Sequence, residues 1–508
     1  MDRIAMYHAN VIGDRETIDE PTWQDLGMDD LFAKIDRTAG MPGRQILYDQ
    51  MRTYEADDKV LAERARQHRI FRQDGGLREQ LQIIFCKLNK PDAEWLAPLL
   101  LNPFPQIPRF AWVLYLLSFS SVACLVGFVF HHALFLPAFG LVLVNIAINL
   151  SYGPKVTPYF SGFSQISTLL GISAQLAKIP DAHQLPQLAH LRGAKGLVAR
   201  LQKRLGWLVI DRRSLPDLLA SLFEYLNMCC LFDIVVFLRS VSSLRRHQED
   251  LVGILKAAGS LDASVAVASY IEELPCVAVP KLADDRRIQV KGLRHPLIPS
   301  PVGNSLDLPG RSALIAGPNM AGKTAFLRTV GINLILARTL NLCLAEQATF
   351  PRAIVRSSIR REDSLADGKS YFFTEISQIS EFIRIGDGEG TYLFLIDEIF
   401  RGTNTIERIA ASAAVLRYLG RRQMILATTH DSELQELLAD TFDMYHFSDR
   451  VVDGKYSFDY HIRPGTARSR NAIKLLEFSG YPAPIIAEAQ ESAARMAAAQ
   501  SRPATSEP

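Results

Sequence analysis

The sequence predicts an α/β domain with a mostly parallel sheet in its C-terminal half, preceded by an all-α region that carries two membrane-length apolar helices. Three observations predict it. From Ser312 onward, strand-like runs (SALIA, YLFLID and MILATT) alternate with helix-like segments, the pattern of a parallel sheet. Upstream, apolar residues recur at helical spacing: Leu31 and Ile35, then Ile46, Leu47 and Met51, then Val60 and Leu61, then Leu81, Ile84 and Leu88. Between these regions, Phe110 to Phe130 is a run of 21 residues without a charge, and a second uncharged run goes from Ala133 to Tyr152.

Composition bounds what such a chain can be. Its 508 residues suit roughly two to four domains. With 48% hydrophobic and 22% charged residues, it buries sizeable cores and is not disordered as a whole. A net charge of +2 argues against attachment to nucleic acid by bulk positive charge, while local basic faces stay open. The six cysteines (Cys86, Cys124, Cys229, Cys230, Cys276 and Cys343) form no CxxC pair and no zinc spacing, so they read as reduced thiols of a cytosol-facing protein. Asp14, Glu16, Asp19 and Glu20 make the first thirty residues polar and acidic, so no secretory signal peptide is expected.

Taken in order, residues 1–28 form an N-terminal segment and 29–108 the first part of the helical region. Residues 109–152 hold the apolar pair. At 1.5 Å per residue, each run spans roughly 30 Å, the thickness of a bilayer's hydrocarbon core. Only His131 and His132 separate the runs, so the natural reading is a helical hairpin crossing the membrane twice. Arg109 precedes it, Lys155 follows it, and the turn holds no Lys or Arg, which puts both ends in the cytoplasm. A pair of core helices in a soluble domain is the alternative, kept open by Pro137, Asn145 and Asn149. A third apolar run, Leu226 to Leu238, is too short to span and contains Asp233, so it reads as a buried helix. Residues 153–279 return to helical patterning, with Pro and Gly breaks between 180 and 195. Short strands and turns occupy Ile288 to Leu306, and the α/β domain is expected over 280–490. After Glu488 the chain is rich in Ala, Ser and Pro, so 491–508 reads as a disordered tail.

Three segments of the α/β domain carry chemistry. Gly317, Pro318, Asn319, Met320, Ala321, Gly322, Lys323 and Thr324 fit the GxxxxGK[ST] pattern at every fixed position, after an apolar strand and before a helix. Such a loop wraps phosphates with backbone N–H groups at a helix N-terminus. Lys323 reaches the β- and γ-phosphates there, and the Thr324 hydroxyl is a Mg²⁺ ligand. Tyr392 to Ile396 is an apolar strand ending in Asp397, placed to hold Mg²⁺, and Glu398, placed to polarise the attacking water. Met424 to Thr429 is a further strand, ending in His430. A lone histidine at a strand end is commonly structural; after the acid pair it is a candidate sensor of the γ-phosphate.

The segments GPNMAGKT at 317–324, DEIFRGTNT at 397–405 and ATTHD at 427–431 together resemble the ATPase domain of the MutS family of mismatch-repair proteins. Arg294–His295–Pro296–Leu297 resembles the turn before that family's phosphate-binding strand, and 363–375 its signature segment. Tyr460 to Ala489 resembles its C-terminal helical region. More weakly, Leu31 to Thr38 with Gly43 resembles the start of the family's helical core, and Leu261 to Pro280 its last lever helix.

The resemblance implies an ABC-like P-loop ATPase domain behind an all-α lever region, using ATP and Mg²⁺. It implies catalytic roles for Glu398, Lys323 and His430, and places Ser370 at the γ-phosphate of a neighbouring subunit. The active unit is then a homodimer with composite ATP sites, with Arg401, Gly402 and Thr403 at the seam. Where the family inserts a DNA clamp between the lever halves, this chain has the apolar hairpin, so a membrane anchor over 109–152 replaces the clamp. The expected location is a bacterial inner membrane, with both ends and the ATPase domain cytoplasmic.

Two departures bear on function. Only about thirty residues precede the core, too few for a mismatch-reading domain, and the one Phe-x-Glu, Phe373–Thr374–Glu375, falls in the ATPase signature. Near Pro301–Val302–Gly303–Asn304 no aromatic is present to stack on adenine. DNA binding is thus implied by the family but by neither the charge nor a recognition domain. The basic residues Arg192, Lys195, Arg200, Lys203, Arg204, Arg212 and Arg213 suit DNA, anionic lipid or a solvated face alike.

Overall fold

A computed structural model describes the chain except for residues 1, 105, 181–182, 206–216, 319, 360–370, 401–403, 453–454, 467–479 and 501–508. Two compact units result, one of Met1–Thr17, Phe32–Thr53 and Asp57–Glu273, the other of Ile18–Leu31, Tyr54–Ala56 and Leu274–Pro508.

The helices up to Glu273 are α1 (Asp2–Val11), α2 (Glu20–Asp25), α3 (Met28–Ile35), α4 (Met41–Arg52), α5 (Asp58–Gln73), α6 (Gly75–Phe85) and α7 (Leu96–Leu101), then α8 (Ala111–Phe128) and α9 (Phe135–Leu176). They continue with α10 (Pro186–Gly193), α11 (Lys195–Leu205), α12 (Asp217–Cys230), α13 (Phe232–Arg246) and α14 (Gln248–Glu272). The core of the helical unit forms around α14, whose residues from Leu251 to Ile271 are largely buried against α4, α5, α7 and α10. One buried polar contact fixes the α4 end of that packing. The Asp262 carboxylate accepts N–H bonds from Ala39 at 3.0 Å and Gly40 at 2.8 Å, satisfying the backbone donors of the two residues that lead into α4. Gly43 is required beside it, because an added Cβ would lie 2.1 Å from Asp262 Oδ2.

Among the described residues three helices are long and apolar enough to cross a membrane, and they differ in what surrounds them. The α14 stretch is 78% buried inside the protein, whereas Ala111–Phe128 is 22% and His132–Tyr152 only 11% buried. Trp112, Leu116, Phe119, Leu136, Phe139, Leu143 and Leu150 all point outward. α14 is therefore a core helix, and α8 with the first half of α9 is an apolar pair whose outer surface the protein itself leaves uncovered.

The boundary expected at 152 falls inside a helix. α9 continues through Pro154 and Pro158 to Leu176, 42 residues in all, and its later part buries Phe163, Ile166, Leu169 and Leu170. The buried helix expected over 226–238 is two helices. Leu231, with φ +57°, breaks the run between α12 and α13.

Among the described residues the second unit holds two sheets. A small one pairs β1 (Lys281–Ala283), β5 (Gln347–Pro351), β2 (Arg287–Leu293) and β3 (Asn304–Pro309) in that spatial order. The larger sheet has the order β10 (Lys455–Pro464), β9 (Phe442–Val452), β4 (Ser312–Ala316), β8 (Met424–Thr429), β7 (Tyr392–Asp397) and β6 (Ile354–Ser358). β9, β4, β8, β7 and β6 run parallel, and β10 closes the sheet as an antiparallel hairpin with β9. Helices α15 (Lys323–Thr339), α16 (Tyr371–Gly386), α17 (Thr405–Gly420) and α18 (Ser432–Leu438) connect or flank the strands. One side of the sheet packs Leu314, Phe394, Ile396 and Ile425 against Phe382, Leu416 and Leu419.

Ile18–Leu31 and Tyr54–Ala56 contribute to this unit. Exposed N–H groups of the edge strand β6 would invite pairing with another chain. Val355 N–H instead donates to the Tyr54 hydroxyl, Ser357 N–H to Thr22 Oγ1 and Ile359 N–H to Asp25 Oδ2.

Two expectations change at the C-terminal end. The stretch from Tyr460, expected to be helical, begins in β10, where Phe458, Tyr460 and Ile462 alternate with polar residues at strand period. The tail expected to be disordered from 491 is helical as far as Gln500, in α19 (Ala483–Gln500), because its alanines carry the highest helix propensity.

Candidate functional site

The fully buried strand β4 delivers the chain into the Gly317–Thr324 loop at the C-terminal edge of the sheet, the edge where open α/β sheets bind ligands. Two glycines make that loop possible. Gly317 has φ +145°, and a Cβ there would lie 2.7 Å from the Phe447 carbonyl oxygen. Gly322, at φ +102°, starts α15 with its backbone N–H groups open to the loop. Asn319 lies outside the described residues. Pro318, Met320 and Gly322 line the cleft, and Ala321 is buried beneath it.

Lys323 is 4% exposed, and its ammonium turns back on the loop, donating to Gly317 O at 2.7 Å and Pro318 O at 3.1 Å. It also lies 3.5 Å from Glu398 Oε1. Thr324 Oγ1 donates to Asp397 Oδ2 at 2.9 Å, and Thr428 Oγ1 to Asp397 Oδ1 at 2.5 Å. The second contact follows from register, since Asp397 on β7 pairs with Thr428 on β8. Among the described residues no group of three or more His, Cys, Asp or Glu side chains gathers as a metal cage. The paired Thr324 and Asp397 oxygens instead suit Mg²⁺, which keeps several waters and takes few protein ligands.

Glu398 is buried and sits at φ +54°, an uncommon backbone state for a residue with a Cβ. That bend turns its carboxylate off the strand, where Oε2 meets His430 Nδ1 at 3.1 Å. Phe400, at φ +62°, continues the turn, and its N–H is held by Glu375 Oε1 at 2.5 Å. His430 Nε2 faces Asp431 Oδ1 at 3.6 Å, and Arg408, projecting from α17, donates to that same oxygen at 2.7 Å. Arg408, Asp431, His430, Glu398 and Lys323 thus form one continuous chain of charged and polar groups.

Lys323, Thr324, Asp397 and Glu398 line the inner end of a cleft of about 680 Å³. His295, Pro301, Val302, Asn304, Phe447 and Tyr460 line the rest. Tyr460 supplies the aromatic group that the 301–304 stretch lacks. Its backbone, at φ +55° in an irregular part of β10, is held from both sides by Asn304. Asn304 Nδ2 donates to Tyr460 O at 3.0 Å, and Ile462 N–H donates to Asn304 Oδ1 at 2.9 Å. The ring stands beside Gly322.

Of the residues the sequence marks, the fold brings Gly317, Lys323, Thr324, Asp397, Glu398 and His430 together. Ser370 and Arg401 to Thr403 lie outside the described residues. Sequence reading missed Tyr460, Thr428, Arg408, Asp431 and Glu375. Asp431 adjoins a marked histidine, and Thr428, two residues before that histidine, pairs with Asp397 across the strands. Tyr460 follows no local motif and reaches the cleft only because the β9–β10 hairpin folds back over the loop.

Residues 313–497 match the family profile of MutS domain V. The chain is 30% identical over 271 residues to the DNA mismatch repair protein MutS of Chloroflexus aurantiacus, a match covering 50% of this chain and 28% of the relative. The protein of the same description from Thermus aquaticus is 30% identical over 268 residues, or 52% of this chain and 32% of the relative. That from Natronomonas pharaonis is 31% identical over 250 residues, 46% of this chain and 28% of the relative. The chain thus spans at most about a third of these relatives' length.

Proposed function

We propose, from the premise that the C-terminal half of this chain belongs to the MutS family, that the protein is a membrane-anchored ATPase working as a homodimer. One observation carries the ATPase reading: Lys323, the Thr324–Asp397 pair and the strained Glu398 converge on one cleft behind a phosphate-binding loop. Thr324 and Asp397 would hold Mg²⁺, which neutralises phosphate charge when bound. Lys323 would exchange the Gly317 and Pro318 carbonyls for phosphate oxygens. Glu398, oriented by His430, would orient the attacking water and accept its proton. Tyr460 would stack on the base, and Ser370 would come from the neighbouring subunit.

Closing of the dimer on ATP would drive the helical unit as a lever. The uncovered apolar surface of α8 and of α9 up to Tyr152 supports anchoring over 109–152, since a surface that large and apolar needs a nonaqueous partner. The relatives' description brings in DNA, so binding to mismatched or branched duplex is part of the proposal. The net charge of +2 favours a second reading, a nucleotide-dependent switch that gathers protein partners at the membrane.

The test is ATP turnover by the full chain in detergent, with and without duplex, across a salt titration. Mg²⁺-dependent turnover stimulated by mismatched or branched duplex supports the DNA reading. Turnover with no salt-dependent DNA affinity supports the second, and no turnover sinks both.

A further inference from the structure

We propose that the basic face shared by α11 and α13 binds the anionic headgroups of a phospholipid bilayer. The inference rests on the anchoring of α8 and α9 proposed above. It begins at the helix break. With Leu231 in the left-handed region, the last carbonyls of α12 lose the N–H groups that would continue the helix. Side chains of the apolar pair replace those donors. Ser118 Oγ on α8 donates to Cys230 O at 2.6 Å, and Asn145 Nδ2 on α9 donates to Cys229 O and to Ser121 Oγ, both at 2.7 Å. Ser118 and Ser121 lie roughly 10 and 15 Å along α8 from Ala111, so the break sits about a third to a half of the way through a hydrocarbon core. Polar side chains inside a bilayer take such roles because the alternative is an unsatisfied group in hydrocarbon.

From that pinned point α13 leads back toward the cytoplasmic end of α8. Ile234, Phe237, Leu238, Val241 and Leu244 are buried, and Arg239, Arg245 and Arg246 are exposed. Arg239 is within electrostatic reach of Tyr115, about one turn into α8. α11 packs on α9 and α13 through Val198 and Leu201, with Arg204 donating to Ser243 Oγ on α13 at 3.4 Å. Its exposed side carries Lys195, Arg200, Lys203 and Arg204.

The two helices contain one acid, Asp233, which is bonded to Asn227. Among the described residues none of the seven exposed cations has a carboxylate partner. A cationic surface on two helices whose single acid is bonded to Asn227, joined to the cytoplasmic end of membrane-spanning helices, is complementary to an anionic leaflet. Duplex DNA fits it less well, because α13 packs on α8, a helix whose outward side chains are apolar.

The experiment uses the full chain in nanodiscs of phosphatidylcholine, alone or with roughly 30% phosphatidylglycerol to set an anionic surface potential. Hydrogen exchange of the 195–205 amides is the readout. We expect phosphatidylglycerol to slow it about five-fold or more, and expect ~0.5 M salt to abolish the effect by screening. The quadruple variant K195Q/R200Q/K203Q/R204Q loses the effect while α5 exchange stays unchanged. Equal exchange in both lipids overturns the proposal, as does protection by added duplex DNA in phosphatidylcholine discs without protection by phosphatidylglycerol. If carbonate strips the chain from membranes, the anchoring reading fails, and flotation with liposomes of the same two compositions decides the face. Capture by the anionic liposomes alone supports it, and no capture overturns it.

Discussion

Asp431 and Arg408 are not among the described residues that line the cleft, yet replacing either should slow turnover. Their side chains are each 14% exposed and meet at 2.7 Å, with Asp431 forming one wall beside the His430 ring. Removing one partner of a fully buried ion pair costs about 3–5 kcal/mol, and the residual exposure here lowers that to roughly 2 kcal/mol. Asp431→Asn frees Arg408 and loosens His430, and with it the Glu398 carboxylate held at 3.1 Å. Misplacing a catalytic group by an ångström costs on the order of 100-fold, so kcat should fall about 10–100-fold with KM for ATP unchanged. Arg408→Gln should fall by a similar factor, because Asp431 is then free to draw His430 away. The double variant R408Q/D431N leaves no uncompensated charge, so its loss should be smaller than the product of the single losses. Steady-state ATP turnover of the four proteins measures this. Wild-type kcat in Asp431→Asn, or strictly multiplicative losses, would refute the positioning chain.

Three further outcomes follow from other contacts. Tyr460→Ala should weaken ATP binding about five- to ten-fold with Tyr460→Phe near wild type, since a stacked ring is worth about 1 kcal/mol beyond its area; fluorescent-nucleotide titration reads it. Gly317→Ala should abolish nucleotide binding while leaving both units folded by circular dichroism, because its Cβ meets the Phe447 carbonyl at 2.7 Å and its φ is +145°. Burial pushes Asp262 up to about 7, although the Ala39 and Gly40 N–H groups pull it down. A carboxyl whose folded value is raised adds stability that is fully present below about pH 4 and is lost as pH climbs through 7, by up to about 1.4 kcal/mol per unit. The unfolding temperature of the helical unit should therefore fall between about pH 4 and 7 and level off above that, and Asp262→Asn should flatten the slope.

The site was more legible than the scaffold around it. Gly317 to Thr324 could be marked from the sequence because the GxxxxGK[ST] pattern fixes residue types and spacing, and Gly317 and Gly322 take the positive φ that such a loop needs. Asp397, Glu398 and His430 follow strands apolar enough to announce themselves. The left-handed backbone at Glu398 was not legible, since nothing in its own type asks for it and the surrounding turn imposes it. Tyr460 and Arg408 come from distant segments, so their arrival depends on hairpin return and helix placement. In the helical unit, the apolar run ending at Tyr152 hid a helix of 42 residues, because packing of Phe163 to Leu170 outweighs the local signal of Pro154 and Pro158. The Leu231 break was invisible for a related reason. It is stabilised by Ser118 and Asn145, more than eighty residues upstream.

The most direct test of the account is Glu398→Gln in the full chain, assayed for ATP binding, turnover and oligomeric state. The variant should bind ATP with Mg²⁺, fail to release phosphate and accumulate as a dimer, while the wild type turns over. Turnover by Glu398→Gln at the wild-type rate would contradict it.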